Sequence, residues 1–340
     1  MSRGSLLYDG HATAPDAERY VRRRERTVQS VVPDFCFSGG MTEMGKRHRL
    51  TNILFLAPAV VSFSLVMIVP FFLGIYYSMT DFNGIRSVLT FVGFENFRTM
   101  FSEPAFLYSF LVTVEYTAIN IVLVNVVAFA LSLLVTSQLP GRHVLRAGFF
   151  VPNLIGGIVL GYIWQFIFNN VLTSIGPTLG IPFLEKSLIG NKDTVIWAMS
   201  FVNVWQYSGY IMMIYVAAIM GIPANLMEAA SVDGANYWVR LRKILIPMMA
   251  NSFTITLFLT LTNSFKMFDL NTSLTQGGPA GMFMMKAVKT SEMLALNIYN
   301  TAITKNLWGQ GQAKAIIFFI VLVIVSLIQV MINKRREVEM

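Results

Sequence analysis

Two sets of polar side chains interrupt long apolar runs in this sequence. Asn203, Tyr207 and Tyr210 recur at helical spacing, and Thr260, Asn263, Ser264 and Met267 repeat the pattern further along. Each set falls on one face of a helix. Polar groups at membrane depth are costly and face the interior of a bundle. Neutral amides, hydroxyls and aromatic rings together suit a sugar, giving hydrogen bonds to its hydroxyls and flat faces for its C–H patches. The same residues also suit hydrogen bonds between helices, and spacing alone leaves both readings open. Lys266 and Asp269 stand three apart at the end of the second set. They read as an ion pair or a snorkelling pair, or Lys266 receives an anionic substrate such as a uronate or a phosphate ester. Glu115 reads as a buried ion partner or a hydrogen-bond acceptor, without an assigned role. Trp164, Trp197 and Trp205 read as packing or interface anchors rather than ligands.

A third stretch is a loop, residues 221–247, rich in small and charged residues and long for a helix connection. Pro223 favours a helix start, and Asn225 with Glu228 has the spacing of a capping box. Glu228, Ala229 and Ala230 form a small-residue turn of helix. Asp233 and Gly234 break it, because glycine permits a left-handed backbone. A basic amphipathic helix follows, with Trp238, Leu241, Ile244 and Leu245 spaced for one face. On these grounds the pair either lies on lipid headgroups or projects to meet another protein.

The elements that must position these residues are membrane spans. A spanning helix takes about 20 apolar residues, and six stretches qualify: 53–78, 107–135, 147–168, 195–220, 248–268 and 315–332. Proline at Pro58, Pro70 and Pro152 is tolerated where neighbouring helices satisfy the freed carbonyls. Lysine and arginine cluster at Lys46–Arg49, Arg142–Arg146, Arg240–Lys243 and Lys334–Arg336. The opposite segments carry Arg86, Arg98, Lys186, Lys192, Lys286, Lys289, Lys305 and Lys314 over nearly twice the length. That asymmetry places both termini and the 221–247 loop in the cytoplasm.

Composition agrees. Of 340 residues, 55% are hydrophobic and 13% charged, against about 25% charged in soluble domains. The net charge of +8 sits beside apolar runs rather than along one basic face, which argues for a lipid bilayer and against nucleic acid. One cysteine, Cys36, excludes an intramolecular disulfide, and the three scattered histidines His11, His48 and His143 argue against a metal site. No phosphate-loop pattern is present, so ATP is not held here, and no catalytic constellation appears. Residues 1–45 read as a disordered cytoplasmic tail with the permease body at 46–340. The first forty hold six arginines and no lysine, and a natural start at Met41 or Met44 stands as an equal alternative.

The loop carries a resemblance. Glu228-Ala229-Ala230, then Asp233-Gly234-Ala235, then Ile244 to Pro247, is similar to the signature loop of binding-protein-dependent ABC importer permeases. Leu241 departs from it where phenylalanine is common. Leu56-Ala57-Pro58, Phe91 to Phe97, Leu274-Thr275 with Gly277-Gly278-Pro279, and Gly311 to Ala315 extend the resemblance over about residues 50–338. These stretches resemble the carbohydrate-uptake branch, in a compact six-span form of the larger maltose-transporter subunit type.

The resemblance implies an all-α transmembrane fold, a six-helix permease bundle with a cytoplasmic coupling helix. It implies a prokaryotic plasma-membrane location and a non-enzymatic permease subunit of an ATP-driven sugar or oligosaccharide importer. A permease for another solute, such as glycerol 3-phosphate or an anionic saccharide, is the alternative. The implied partners are a second homologous permease, an ATPase dimer that binds the ATP and Mg, and an extracytoplasmic sugar-binding protein. No cofactor is implied in this chain itself. Glu228, Ala229, Ala230, Asp233 and Gly234 take the ATPase-coupling role. Asn203 and Tyr210 match sugar-contacting residue types, Thr260 and Ser264 are related in chemistry, and Tyr207 and Met267 differ in type at such positions.

Overall fold

The computed structural model describes residues 41–85 and 89–334, with side chains for 52–85 and 89–333. Expectations for residues 1–40, including the alternative start, and for Arg86, Arg335 and Arg336, lie outside the described residues. So do the side chains of Lys46, Arg47, His48, Arg49 and Lys334. The described residues fall into two units, divided between Val69 and Pro70. In the first, helix Met41–Phe63 runs into a wider turn at Ser64–Ile68, so residues 41–45, assigned above to a tail, are helical. None of its side chains from 52 to 69 is buried. A helix apolar all round with no buried face is one that lipid or another chain must cover.

Four helices are long and apolar enough to cross a membrane: α1 (Asn52–Ser78), α3 (Pro104–Thr136), α5 (Gly157–Leu179) and α12 (Trp308–Asn333). Two bent pairs raise that to six. They are α6 (Val195–Gly221) with α7 (Ala224–Val232), bent by 67°, and α8 (Tyr237–Met248) with α9 (Ala250–Phe265), bent by 69°. Shorter helices α2 (Glu95–Ser102), α4 (Arg142–Phe150), α10 (Asp269–Leu274) and α11 (Leu294–Tyr299) lie between them. The helical expectation holds with one addition. Strands β1 (Ala280–Phe283) and β2 (Lys286–Lys289) form an antiparallel hairpin pairing Ala280 with Lys289 and Phe283 with Lys286.

The third apolar run is not one helix. Pro152 and the Gly156-Gly157 pair divide 147–168 into the end of α4, a short tight turn at Val151–Leu154, and α5. Proline lacks the N–H that would continue the ladder, and Ile155 and Gly156 are extended. The span therefore begins later and runs to Leu179, with α4 as a separate amphipathic helix before it.

Two apolar clusters hold α3, α5, α6 and α9 together. One, around Tyr116, Leu160, Met199, Val202 and Leu270, lies at the end of the bundle remote from the 221–247 loop. The other, around Val124, Ala128, Ile211, Tyr215, Leu245 and Met249, lies at the loop end. Close backbone approach tightens both. A Cβ at Gly209 would collide with the Phe149 carbonyl, and one at Gly161 with the Ser273 hydroxyl. Buried amides add directional contacts. Asn120 donates to Ser200 Oγ at 3.0 Å, and Asn125 donates to Thr260 Oγ1 at 3.2 Å while accepting from Tyr215 OH at 2.8 Å. In lipid-facing bundles such bonds contribute about 0.6 kcal/mol each, with little hydrophobic drive between helices to replace them.

Candidate functional site

A cavity of about 470 Å³ opens between α6, α9 and the turn that leads from α4 into α5. That volume lies within the range of small-molecule sites. Asn203, Gln206 and Tyr207 line it from α6, and Leu259, Thr262 and Asn263 from α9. Lys266, Met267, Phe268, Asp269 and Leu270 close it where α9 passes into α10, and Asn153 and Gly157 form the remaining wall.

Local structure explains the lining. Asn203 is almost wholly buried, and its amide donates to Asn120 Oδ1 at 2.8 Å, which fixes its orientation. Gln206 Nε2 donates to the Ile155 carbonyl at 2.8 Å, a carbonyl of the extended link that precedes α5. The bond thus anchors the α4–α5 turn to the cavity wall. The Tyr207 ring lies 5.5 Å from that of Tyr210 and offers the cavity a half-buried phenol. At the α9 terminus the helix ends on Lys266, Met267 N donates to Ser264 O at 3.3 Å, and α10 starts at Asp269.

Of the seven residues singled out for substrate, Asn203, Tyr207, Asn263 and Met267 line this cavity. The other three lie outside its lining. Thr260 is buried, donates to Thr256 O at 2.8 Å and accepts from Asn125. Ser264 is buried, and its hydroxyl has no hydrogen-bond partner among the described residues. Tyr210 is half-buried beside the loop-end cluster. Asn153, Gly157, Gln206 and Thr262 were missed. The Gly156-Gly157 pair after Pro152 was the available signal for the first two, since it marks a break where backbone can face a cavity.

Lys266 and Asp269 form no ion pair, against one of the readings above. Both are exposed to the cavity, and the ion pairs among the described residues lie elsewhere, at Glu103. Glu115 is exposed on α3, not buried. Trp164 packs edge-on against Phe201 and Trp205, whereas Trp197 is 58% exposed. Among the described residues no group of histidine, cysteine, aspartate and glutamate could hold a metal ion.

The loop forms a second site. Ile222 and Pro223 are extended, and α7 leaves α6 there with no buried residue of its own. Pro223 occupies the N-cap without a side-chain bond, so the Asn225–Glu228 capping box does not form. Proline fixes the entry backbone, which leaves Asn225 inside the helix and exposed. Gly234 has φ +77°, and Ala235 N donates to Ala230 O at 2.9 Å, closing α7. Asn236 caps α8 by accepting from Val239 N at 2.9 Å. Arg240 Nη1 donates to Ser231 Oγ at 2.6 Å and ties the two helices. Leu241 and Leu245 are buried, but Trp238 is 72% exposed rather than sharing their face. Residues 241–245 form a wide turn that rotates the register between Trp238 and Leu245. Glu228, Ala229, Asp233 and Gly234 are exposed on a projecting surface, with Ala230 half-buried.

Known proteins share this architecture. A probable permease of a starch degradation products transport system, AmyD of Thermoanaerobacterium thermosulfurigenes, is 43% identical over 84% of this chain and 95% of its own length. A multiple sugar-binding transport system permease, MsmF of Streptococcus mutans, is 29% identical over 79% and 90%. Among solved structures, a subunit of a bacterial ABC transporter involved in import of the acidic polysaccharide alginate superposes with a TM-score of 0.72. It is 18% identical and covers 87% of this chain and 98% of its own. The sequence model for binding-protein-dependent transport system inner membrane components matches residues 48–338, and this chain belongs to that family.

Proposed function

We propose that this chain is one of two permease subunits of an ATP-driven oligosaccharide importer, that the cavity between α6 and α9 takes the sugar, and that α7 receives the motion of a separate ATPase. One observation carries the reading. The two helices that line the cavity are the two on which the projecting loop is mounted. α6 presents Asn203, Gln206 and Tyr207 to the cavity and passes through Ile222–Pro223 into α7. α9 presents Thr262 and Asn263 and is reached from α7 through Gly234 and α8. Displacing the loop therefore pulls on both walls at once.

The mechanism follows from that linkage. The small side chains Ala229 and Ala230 let the α7 backbone approach a partner closely, and Glu228 offers it a carboxylate. ATP and Mg bind on the partner, since this sequence lacks a phosphate loop. Closure of the ATPase dimer draws the paired coupling helices together and opens the cavity away from the cytoplasm. Hydrolysis returns them. A binding protein delivers sugar from the far side, and both termini face the cytoplasm. The names of AmyD and MsmF supply the sugar assignment, and the neutral amides, phenol and hydroxyl of the lining suit it.

The test is oligosaccharide uptake by the complete complex in liposomes. Tyr207→Ala is expected to lower apparent substrate affinity by about tenfold or more, with ATP hydrolysis still present. Unchanged uptake in both Tyr207→Ala and Asn263→Ala would remove the cavity from the transport path.

A further inference from the structure

Lys266 and Asp269 are the two formally charged side chains in the cavity lining, and they have opposite sign. They are three residues apart yet are not paired with each other or with another ion among the described residues. Each stands at a helix end instead. Lys266 caps the C-terminus of the sixteen-residue α9, where peptide dipoles favour a cation. Asp269 packs on Gly157, the first residue of α5, where they favour an anion. A Cβ at Gly157 would come within 2.9 Å of Asp269 Cβ and 3.7 Å of its Oδ2. The turn at Met267–Phe268 holds the two charges apart, one on each side of the helix break.

Building on the assignment of this cavity to substrate, we propose that Lys266 and Asp269 form a charge-balanced recognition pair that selects neutral oligosaccharides and rejects uronates. The ammonium donates to one sugar hydroxyl oxygen, and the carboxylate accepts from a neighbouring hydroxyl. A neutral sugar satisfies both and leaves the charge of the lining balanced. A uronate gains one contact at Lys266 but brings its carboxylate near that of Asp269, where like charges repel. The lone lysine therefore does not make this an anion site, because Asp269 cancels it. Neutral Asn153, Asn203, Gln206 and Asn263 complete the lining without shifting that balance.

The test uses the assembled complex in nanodiscs, with its partner permease and ATPase and without binding protein. Equilibrium binding is compared for a neutral glucose trisaccharide and a uronate trisaccharide of equal length. The parent is expected to favour the neutral sugar by about tenfold. Asp269→Asn, which leaves the cavity one positive charge, is expected to abolish or reverse that preference. Lys266→Gln is expected to widen it. Both side chains are exposed, so assembly of the complex serves as the folding check. If Tyr207→Ala weakens both sugars while neither charge variant moves their ratio, the pair is not the selector and the cavity assignment survives. If Tyr207→Ala also changes nothing, the cavity assignment fails and this inference with it.

Discussion

The Lys314 ammonium lies 2.6 Å from a Glu103 carboxylate oxygen although the lysine side chain is completely buried. The pair joins the start of α3 to α12, across 211 residues. Asn297 Oδ1 at 2.9 Å and Thr301 Oγ1 at 2.8 Å accept the other Lys314 protons, and the Phe106 ring lies 5.6 Å from the ammonium. Lys305 reaches the second Glu103 oxygen at 3.1 Å from a half-exposed position. All three lysine donors are thus used, the condition under which a buried ion pair is tolerated. Removing one partner strands the other. Glu103→Gln and Lys314→Met are each expected to cost about 3–5 kcal/mol, read as a fall in the unfolding midpoint of the purified complex. The double variant is expected to recover part of that loss. Full stability in both single variants would mean the cluster does not hold α3 and α12 together.

The same pair sets an acid response. Burial pushes the Glu103 carboxyl up, but hydrogen bonds and charge from Lys314, then Lys305, outweigh it and hold the group below its ordinary value of 4.5. A carboxyl depressed by folding contributes stability that is fully present above its unfolded value and is lost as pH falls through its folded value. The stability difference between parent and Glu103→Gln is therefore expected to be flat from neutral pH to about 5. It should then shrink as pH drops below 4.5. A difference that stayed constant down to about pH 3 would contradict the pairing.

Close packing gives a second structural test. At Gly209 an added Cβ meets the Phe149 carbonyl, a backbone atom that cannot swing aside. At Gly148, on the helix that supplies that carbonyl, an added Cβ meets nothing within 4 Å. Gly209→Ala is expected to destabilise by about 1–3 kcal/mol, and Gly148→Ala to be neutral or slightly stabilising. Thermal unfolding in detergent separates the two, and equal midpoints would show that α4 and α6 are not in contact as described.

Much of this was legible in the sequence because periodicity and hydropathy are local signals. The apolar runs, the Asp233-Gly234 bend and the cavity-lining positions of Asn203 and Tyr207 on α6 and Asn263 on α9 all come from local spacing within single elements. What escaped depends on partners distant in sequence. Lys314 counts among the basic residues of a far-side segment until Glu103, 211 residues away, is found beside it. Thr260 has the spacing of a ligand, yet Asn125 from α3 engages it. Lys266 and Asp269 have the spacing of an ion pair, but the helix ends between them and the geometry that i,i+3 pairing needs is lost. The Asn225 capping box failed for a local reason, since Pro223 had already set the helix entry.

The loop yields the last prediction. α7 buries none of its residues and is fastened to its own chain at its two ends, by the extended Ile222–Pro223 link and by the Arg240–Ser231 bond. A helix so mounted transmits force only if something grips its exposed face, and Glu228 is the acidic group on that face. Glu228→Ala is therefore expected to leave folding and sugar binding intact while lowering the amount of sugar moved per ATP hydrolysed. Gly234→Val acts differently. Its φ of +77° costs a branched residue about 1–2 kcal/mol, so the bend itself shifts, and the complex with the ATPase is expected to weaken. Measuring transport and ATP hydrolysis together in liposomes, with co-purification of the ATPase as the assembly readout, distinguishes the two. Normal transport per ATP in Glu228→Ala would show that the grip lies on another part of the loop. Retained assembly in Gly234→Val would show that the bend tolerates the strain.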